Sequence, residues 1–201
     1  MNESPYIDEQ ILKYREKYKM LTCTYDLENE QIYIEGKRIY FARQEFGNCF
    51  SMLMPECLEG VPEQVAQKMF PVGDGPQIVR VGTGSGEILT FSTLSEVPFE
   101  AAKEIDKIHL DLNKLFPQDV FYTQGMEQSK EAQVHWFDFK HFAMEGECYS
   151  LMFVFALDDT RGFLGTFRCG FATYDSWKPC LLAMLRSIVF IDSYEEETNN
   201  A

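Results

Sequence analysis

The chain is short of histidine, tryptophan and basic charge: three His, two Trp and 18 Lys plus Arg in 201 residues. No uninterrupted apolar run approaches the roughly 18 residues of a membrane-spanning helix. Each shortage excludes something. The 18 basic residues face 32 acidic ones, for a net charge of −14, and they are scattered. Nucleic acid and anionic lipid are both recognised by clustered cations, so neither is expected as a partner. The first nine residues, Met1 to Glu9, have no basic start and no apolar stretch, which argues against a secretory signal and for a cytoplasmic location. The six cysteines (Cys23, Cys49, Cys57, Cys148, Cys169, Cys180) include no Cys-x-x-Cys pair. In a reducing compartment they are expected to be free thiols serving as small buried hydrophobes, without zinc or a disulfide framework.

What is present is apolar mass. With 45% hydrophobic and 14% aromatic residues the chain can bury a sizeable core. Residues 1–30 read as a charged, partly helical segment with a short helix over Ile7–Lys19, residues 31–191 as one domain, and 192–201 as an acidic flexible tail. Within the domain, Glu35-Gly36 turns a hairpin between Gln31–Ile34 and Lys37–Phe41, because glycine supplies the positive φ of a tight turn. A strand runs over Asn48–Met54, and Pro62 opens a short helix over Glu63–Met69. Strands Gln77–Val81 and Glu87–Ser92 flank Gly82–Gly86. From Pro98 to Leu115 the apolar residues Phe99, Ala102, Ile105, Ile108, Leu112 and Leu115 recur at three- and four-residue steps, which is one face of a helix. Strand Asp119–Gln124 leads into three long aromatic strands, Gln133–Phe142, Glu147–Leu157 and Gly162–Phe171, and an apolar helix over Ser176–Ile188 follows. Short connections make neighbouring strands antiparallel. The fold class is therefore α+β: a largely antiparallel sheet with helices on both faces, an α/β/α sandwich.

Five groups of residues invite a chemical reading. Gly82-Thr-Gly-Ser-Gly86 is spaced Gly-x-Gly-x-Gly and runs into a strand, whereas phosphate-binding glycine loops open a helix, so a hairpin is expected. His135 and His141 share a strand face, but six residues at about 3.3 Å each set them roughly 20 Å apart, too far to ligate one metal. Cys148 and Cys169 lie on strands that can neighbour the one bearing His135 and His141. A nucleophile needs thiolate and imidazole within hydrogen-bond reach, and no local signature supplies that pairing. Trp136, Asp138 and Lys140 alternate on the opposite strand face. With Trp177 they are the candidate partner-binding residues, and Tyr33 and Tyr40 are further candidate aromatic anchors. Asp158-Asp159-Thr-Arg-Gly162 lacks the spacing of a calcium loop and reads as a hairpin turn.

One pattern spans Phe46 to Ile191. Phe46-Gly-Asn-Cys-Phe-Ser-Met-Leu-Met-Pro55 is a strand ending in Met-Pro, a short helix ends in Phe70-Pro71, and the strand pair, long helix and meander close on Trp177-Lys-Pro-Cys-Leu-Leu-Ala-Met-Leu-Arg-Ser-Ile188. This order resembles the PsbP/Mog-type α/β/α sandwich, in particular its small bacterial relatives. The resemblance implies a non-enzymatic scaffold, since such proteins include an accessory subunit of photosystem II and a binder of a Ran-type GTPase. The expected function is a non-catalytic cytoplasmic interaction or accessory module with a protein partner and no cofactor. The alternative is a small-ligand-binding protein or enzyme with a Cys/His pocket between sheet and helices.

Overall fold

The structure is a computed structural model describing residues 7, 8, 10–12, 14, 15, 25–71, 73, 75–82, 86–144 and 146–191. The described residues between Ile7 and Arg15 are helical, while Tyr18, Lys19 and the acidic tail from Asp192 lie outside the described set.

The elements run β1 (Ile32–Ile34), β2 (Lys37–Ile39), β3 (Phe41–Phe46), β4 (Phe50–Pro55), β5 (Leu58–Gly60), α1 (Glu63–Met69), β6 (Ile78–Gly82) and β7 (Ile88–Ser95). They continue with α2 (Ala101–Leu115), β8 (Val120–Gln128), β9 (Gln133–Ala143), β10 (Gly146–Ala156), β11 (Arg161–Gly170), α3 (Tyr174–Arg186) and β12 (Val189–Phe190). Seven strands form one antiparallel sheet in the order β5-β6-β7-β11-β10-β9-β8. A smaller sheet has the order β12-β4-β3, and β1 pairs with β2 around Glu35-Gly36, both at positive φ.

Both faces of the large sheet are covered, which explains why its central strands are apolar on both parities. On one face Phe137, Phe139 and Val154 pack beneath the apolar stripe of α2 at Ile105, Ile108 and Leu112. On the other, Trp136, Tyr149, Leu151, Phe153, Phe155, Phe167 and Leu89 meet α3 and the small sheet. There Phe50 contacts Phe91, Phe155 and Phe163 at centroid distances of 5.0–5.3 Å with tilted or edge-on planes, the geometry that adds about 0.5–1.5 kcal/mol per aromatic pair beyond area burial. Ser187, at the end of α3, ties that helix to the small sheet: its Oγ accepts from Leu53 N–H at 2.8 Å, and its carbonyl accepts from Arg43 at 3.0 Å.

The antiparallel sheet with helices on its two faces is therefore observed. Sequence patterning missed β3, β5 and β12. Asn48, expected at a strand start, sits instead with Gly47 at positive φ in the β3–β4 turn. Pro62 caps α1 from outside its first turn, and none of that helix's residues is buried. The Gly82–Gly86 segment joins two antiparallel strands, with Gly82 N–H bonded to Glu87 O at 2.7 Å, although residues 83–85 lie outside the described set. No described helix is long and apolar enough to cross a membrane.

Candidate functional site

Four side chains expected at a recognition surface lie inside the molecule. Trp136 and Trp177 are 1% exposed, Asp138 is fully buried and Lys140 is 7% exposed. Trp136, Asp138 and Lys140 do share one strand face, but that face is the one roofed by α3, so these residues are corrected from surface to core. What they build is a polar network. Asp138 Oδ1 accepts from Thr123 N–H and Thr123 Oγ1–H, both at 2.8 Å. Its Oδ2 accepts from Tyr149 O–H at 2.9 Å and is paired with Lys178 Nζ at 2.5 Å. Lys178 also donates to Thr123 Oγ1 at 2.8 Å and lies 5.6 Å from the Trp136 ring centroid. A register shift in β8 between Phe121 and Gln124 turns Thr123 onto the carboxylate, a common effect of a β-bulge. Lys140 is held 3.8 Å from Glu147 Oε1 and over the Phe171 ring at 5.0 Å. Trp177 packs on Phe167 at 5.1 Å. A buried charge needs such satisfaction, and a network so enclosed has a structural role.

The Cys/His candidates separate into one pair and two outliers. Cys148 and His141 are direct cross-strand partners on the α2 side of the sheet. Arg168 donates to Cys148 Sγ at 3.1 Å, and His141 Nε2 is 3.1 Å from Ser150 Oγ. Burial, then the Arg168 charge, holds the His141 imidazole below its ordinary value of 6.5. Cys169 points to the opposite face, 1% exposed, its thiol pushed up to about 12 chiefly by burial. His135 lies at the far end of its strand in a shallow cleft of about 370 Å3, with Glu100, Glu131 and Gln133. Among the described residues no three His, Cys, Asp or Glu side chains gather as metal ligands. Asp158 is a turn residue as expected: its carboxylate accepts from Thr160 Oγ1–H, from Thr160 N–H and from Arg161, and these contacts hold it well below the usual carboxylate range.

The feature that sequence reading passed over is the tip of the β9–β10 hairpin. Phe142 is 55% exposed and Met144 is fully exposed. The chain turns there through Gly146 at φ +124, a conformation open to glycine. Since Val120 pairs with Lys140, the link from the end of α2 enters the sheet beside this tip, bringing exposed Leu115 and Phe116 to the same end of the molecule. The sequence signal was an apolar pair, Phe142 at the end of β9 and Met144 at the turn that follows it, where a turn needs no apolar residue.

The fold is similar to that of the cyanobacterial PsbP protein (CyanoP) from Synechocystis sp. PCC 6803, whose solution structure aligns with a TM-score of 0.55 at 12% identity over 75% of this chain and 92% of that chain. A crystal structure of a protein from Bacteroides thetaiotaomicron VPI-5482 aligns with a TM-score of 0.48 at 11% identity over 73% of this chain and 46% of that one. No protein-family model matches the sequence, and no curated protein matches it. At such identities the likeness is one of fold, and this chain has a PsbP-like α+β fold.

Proposed function

We propose that this chain is a non-catalytic, cytoplasmic interaction or accessory module that docks a protein partner with the tip of the β9–β10 hairpin. The observation that carries the reading is the exposure of Phe142 and Met144 at the end of the longest hairpin, beside exposed Leu115 and Phe116. Exposed apolar side chains brought to one end of the molecule are a usual mark of a docking surface. The partner offers an apolar pocket with a basic rim, which answers the exposed Glu147 and the −14 charge of the chain. In this reading residues 31–191 are the docking domain and the two termini are appendages. It also takes the kinship to extend to the Mog-type members and to the small bacterial proteins of that superfamily. Affinity capture from host lysate tests it. The wild-type chain should retain a stoichiometric protein that the Phe142→Asp/Met144→Asp variant loses, and equal retention by both would refute the tip as the docking site.

A second reading rests on a separate observation, the Arg168 contact to Cys148 beside His141. Arg168 places a donor on the sulfur and His141 stands opposite on the neighbouring strand, an arrangement that suits a small-ligand or nucleophilic site. Native labelling of Cys148 by a small electrophile, suppressed in Arg168→Gln, is its expected signature. Failure of Cys148 to react in the native state would remove it.

A further inference from the structure

The large sheet ends on β8, the longest edge strand among the described elements. Edge strands of soluble proteins are ordinarily guarded by lysine, proline or unpaired charge. Val120–Gln128 contains no lysine and no proline. Its one charged residue, Glu127, is engaged by Arg186 at 2.7 Å. The bulge at its start leaves Gln124–Gln128 as a regular stretch in unbroken register with Gln133–Phe137.

Antiparallel ladders alternate bonded and non-bonded pairs. Ser129 N–H donates to Ala132 O at 2.9 Å. Counting from that bond, Glu127–Val134 and Gly125–Trp136 are the bonded pairs. The backbone N–H and C=O groups of Gln124, Met126 and Gln128 therefore point away from the sheet, and the side chains of these three residues are exposed. Their order, Gln-Met-Gln, is the same read in either direction. A second copy laid antiparallel about a two-fold axis at Met126 sets Gln124 against Gln128 of the other copy and Met126 against its own mate. All three outward-facing residues of each strand then find backbone partners. Glu127 falls opposite Gly125 rather than opposite its symmetry mate, so no like charges meet across the axis.

We propose that β8 is a self-association edge, through which two copies of this chain pair antiparallel over Gln124–Gln128 and join their sheets into one. The occupant is a second copy rather than a foreign strand, because the outward residues are complementary to themselves. Two chains of charge −14 repel at long range. Screening relieves that repulsion, so association tightens as salt rises from low to physiological strength.

Sedimentation of the full chain across micromolar to near-millimolar concentration tests this directly. The mass should rise from 23.3 kDa toward twice that value, and should rise earlier at the higher salt. Met126→Lys places two ammonium groups on the axis and should weaken association at least tenfold. Its side chain is already 46% exposed, so the fold is retained. Met126→Pro removes an outward N–H without touching a bond to β9, as edge-strand proline does, and should also leave a monomer. Met126→Cys should give a covalent dimer on mild oxidation, because bonded cross-strand pairs lie about 5.5 Å apart at Cα, within disulfide reach. A mass of 23.3 kDa at every concentration would overturn the proposal. So would association of Met126→Lys equal to wild type, or dimerisation in which Met126→Cys does not cross-link. Should the proline variant unfold, the lysine and cysteine variants still decide.

Discussion

Lys178→Met cuts one ion pair at the centre of the molecule, and its effect follows from what it leaves behind. Asp138 is fully buried and Lys178 is 1% exposed. Breaking a buried pair by removing one member typically costs about 3–5 kcal/mol, because the other charge is stranded without solvent. Here the stranded carboxylate keeps three donors, from Thr123 N–H, Thr123 Oγ1–H and Tyr149 O–H. The lower end, about 3 kcal/mol, is therefore expected. For a chain of this size, at roughly 2–4 °C per kcal/mol, that corresponds to a melting point lower by roughly 6–12 °C. Asp138→Asn added to Lys178→Met removes the charge while keeping an acceptor for Thr123, and should recover at least about 1 kcal/mol as a coupling energy in a double-mutant cycle. Asp138→Leu with Lys178→Met should recover less, since it takes the acceptor from the buried Thr123 N–H, at about 1–3 kcal/mol. Guanidinium unfolding at constant m-value measures all three variants. If Lys178→Met lay within about 0.5 kcal/mol of wild type, the range of an ordinary surface substitution, the network would not be the buried element described.

Other consequences are smaller but as sharp. A Cβ at Gly162 would collide with the Phe99 ring and lie 2.5 Å from the Phe155 carbonyl oxygen, whereas one at Gly165 meets only the Phe153 ring. Both alanine variants should lose about 1–3 kcal/mol by overpacking, and Gly162→Ala should lose more, because backbone yields less readily than a ring; the reverse order in denaturant titration would contradict this. Burial holds the His109 imidazole below 6.5, between the Phe121 and Phe137 rings at 4.7 and 4.8 Å, and His141 is lowered too. The unfolded chain therefore binds these protons first: their contribution is complete above about pH 6.5 and is lost as pH falls through the folded values. His109→Phe should shrink the stability loss between about pH 7.5 and about pH 5.5, and an unchanged loss would contradict the assignment. Asp119 and Glu104, held above their ordinary values, act in the opposite sense further down, in the carboxylate range. Cys169 and Cys180 thiols are pushed up to about 12 by burial. Among the described cysteines, the half-buried Cys49 should react with thiol reagents well before the buried Cys169 and Cys180, as peptide mapping after brief labelling will show; modification of Cys180 at the same rate would be inconsistent with the packing of α3.

The parts of the fold that sequence reveals are those where local chemistry and tertiary context agree. The α2 stripe and the three aromatic strands are legible because period and composition point the same way, and their bounds fall within a few residues of those observed. β3 escaped because Arg43, Gln44 and Glu45 read as loop, although they form a strand supported from one side by β4. The site was less legible for a different reason. Parity correctly placed Trp136, Asp138 and Lys140 on one face, but what covers a face is decided by residues 40 or so positions later, where Lys178 sits in α3. A single lysine on the buried stripe of that helix was the available clue to a buried acid. Thr123 could not be anticipated, since its role depends on a bulge that leaves no mark in composition. The Cys148–His141 pairing follows from the turn at Met144–Gly146 once the register is counted outward from it, and Cys169 then falls on the opposite face.

The docking role of the hairpin tip is tested most directly by a photo-activated cross-linker placed at Phe142 in the native host, with the same group at Tyr33, which is equally exposed on the β1–β2 hairpin. The tip position should yield one discrete protein adduct, and the Tyr33 position should yield none. Adducts at Tyr33 alone, or no adduct from Phe142, would contradict the account.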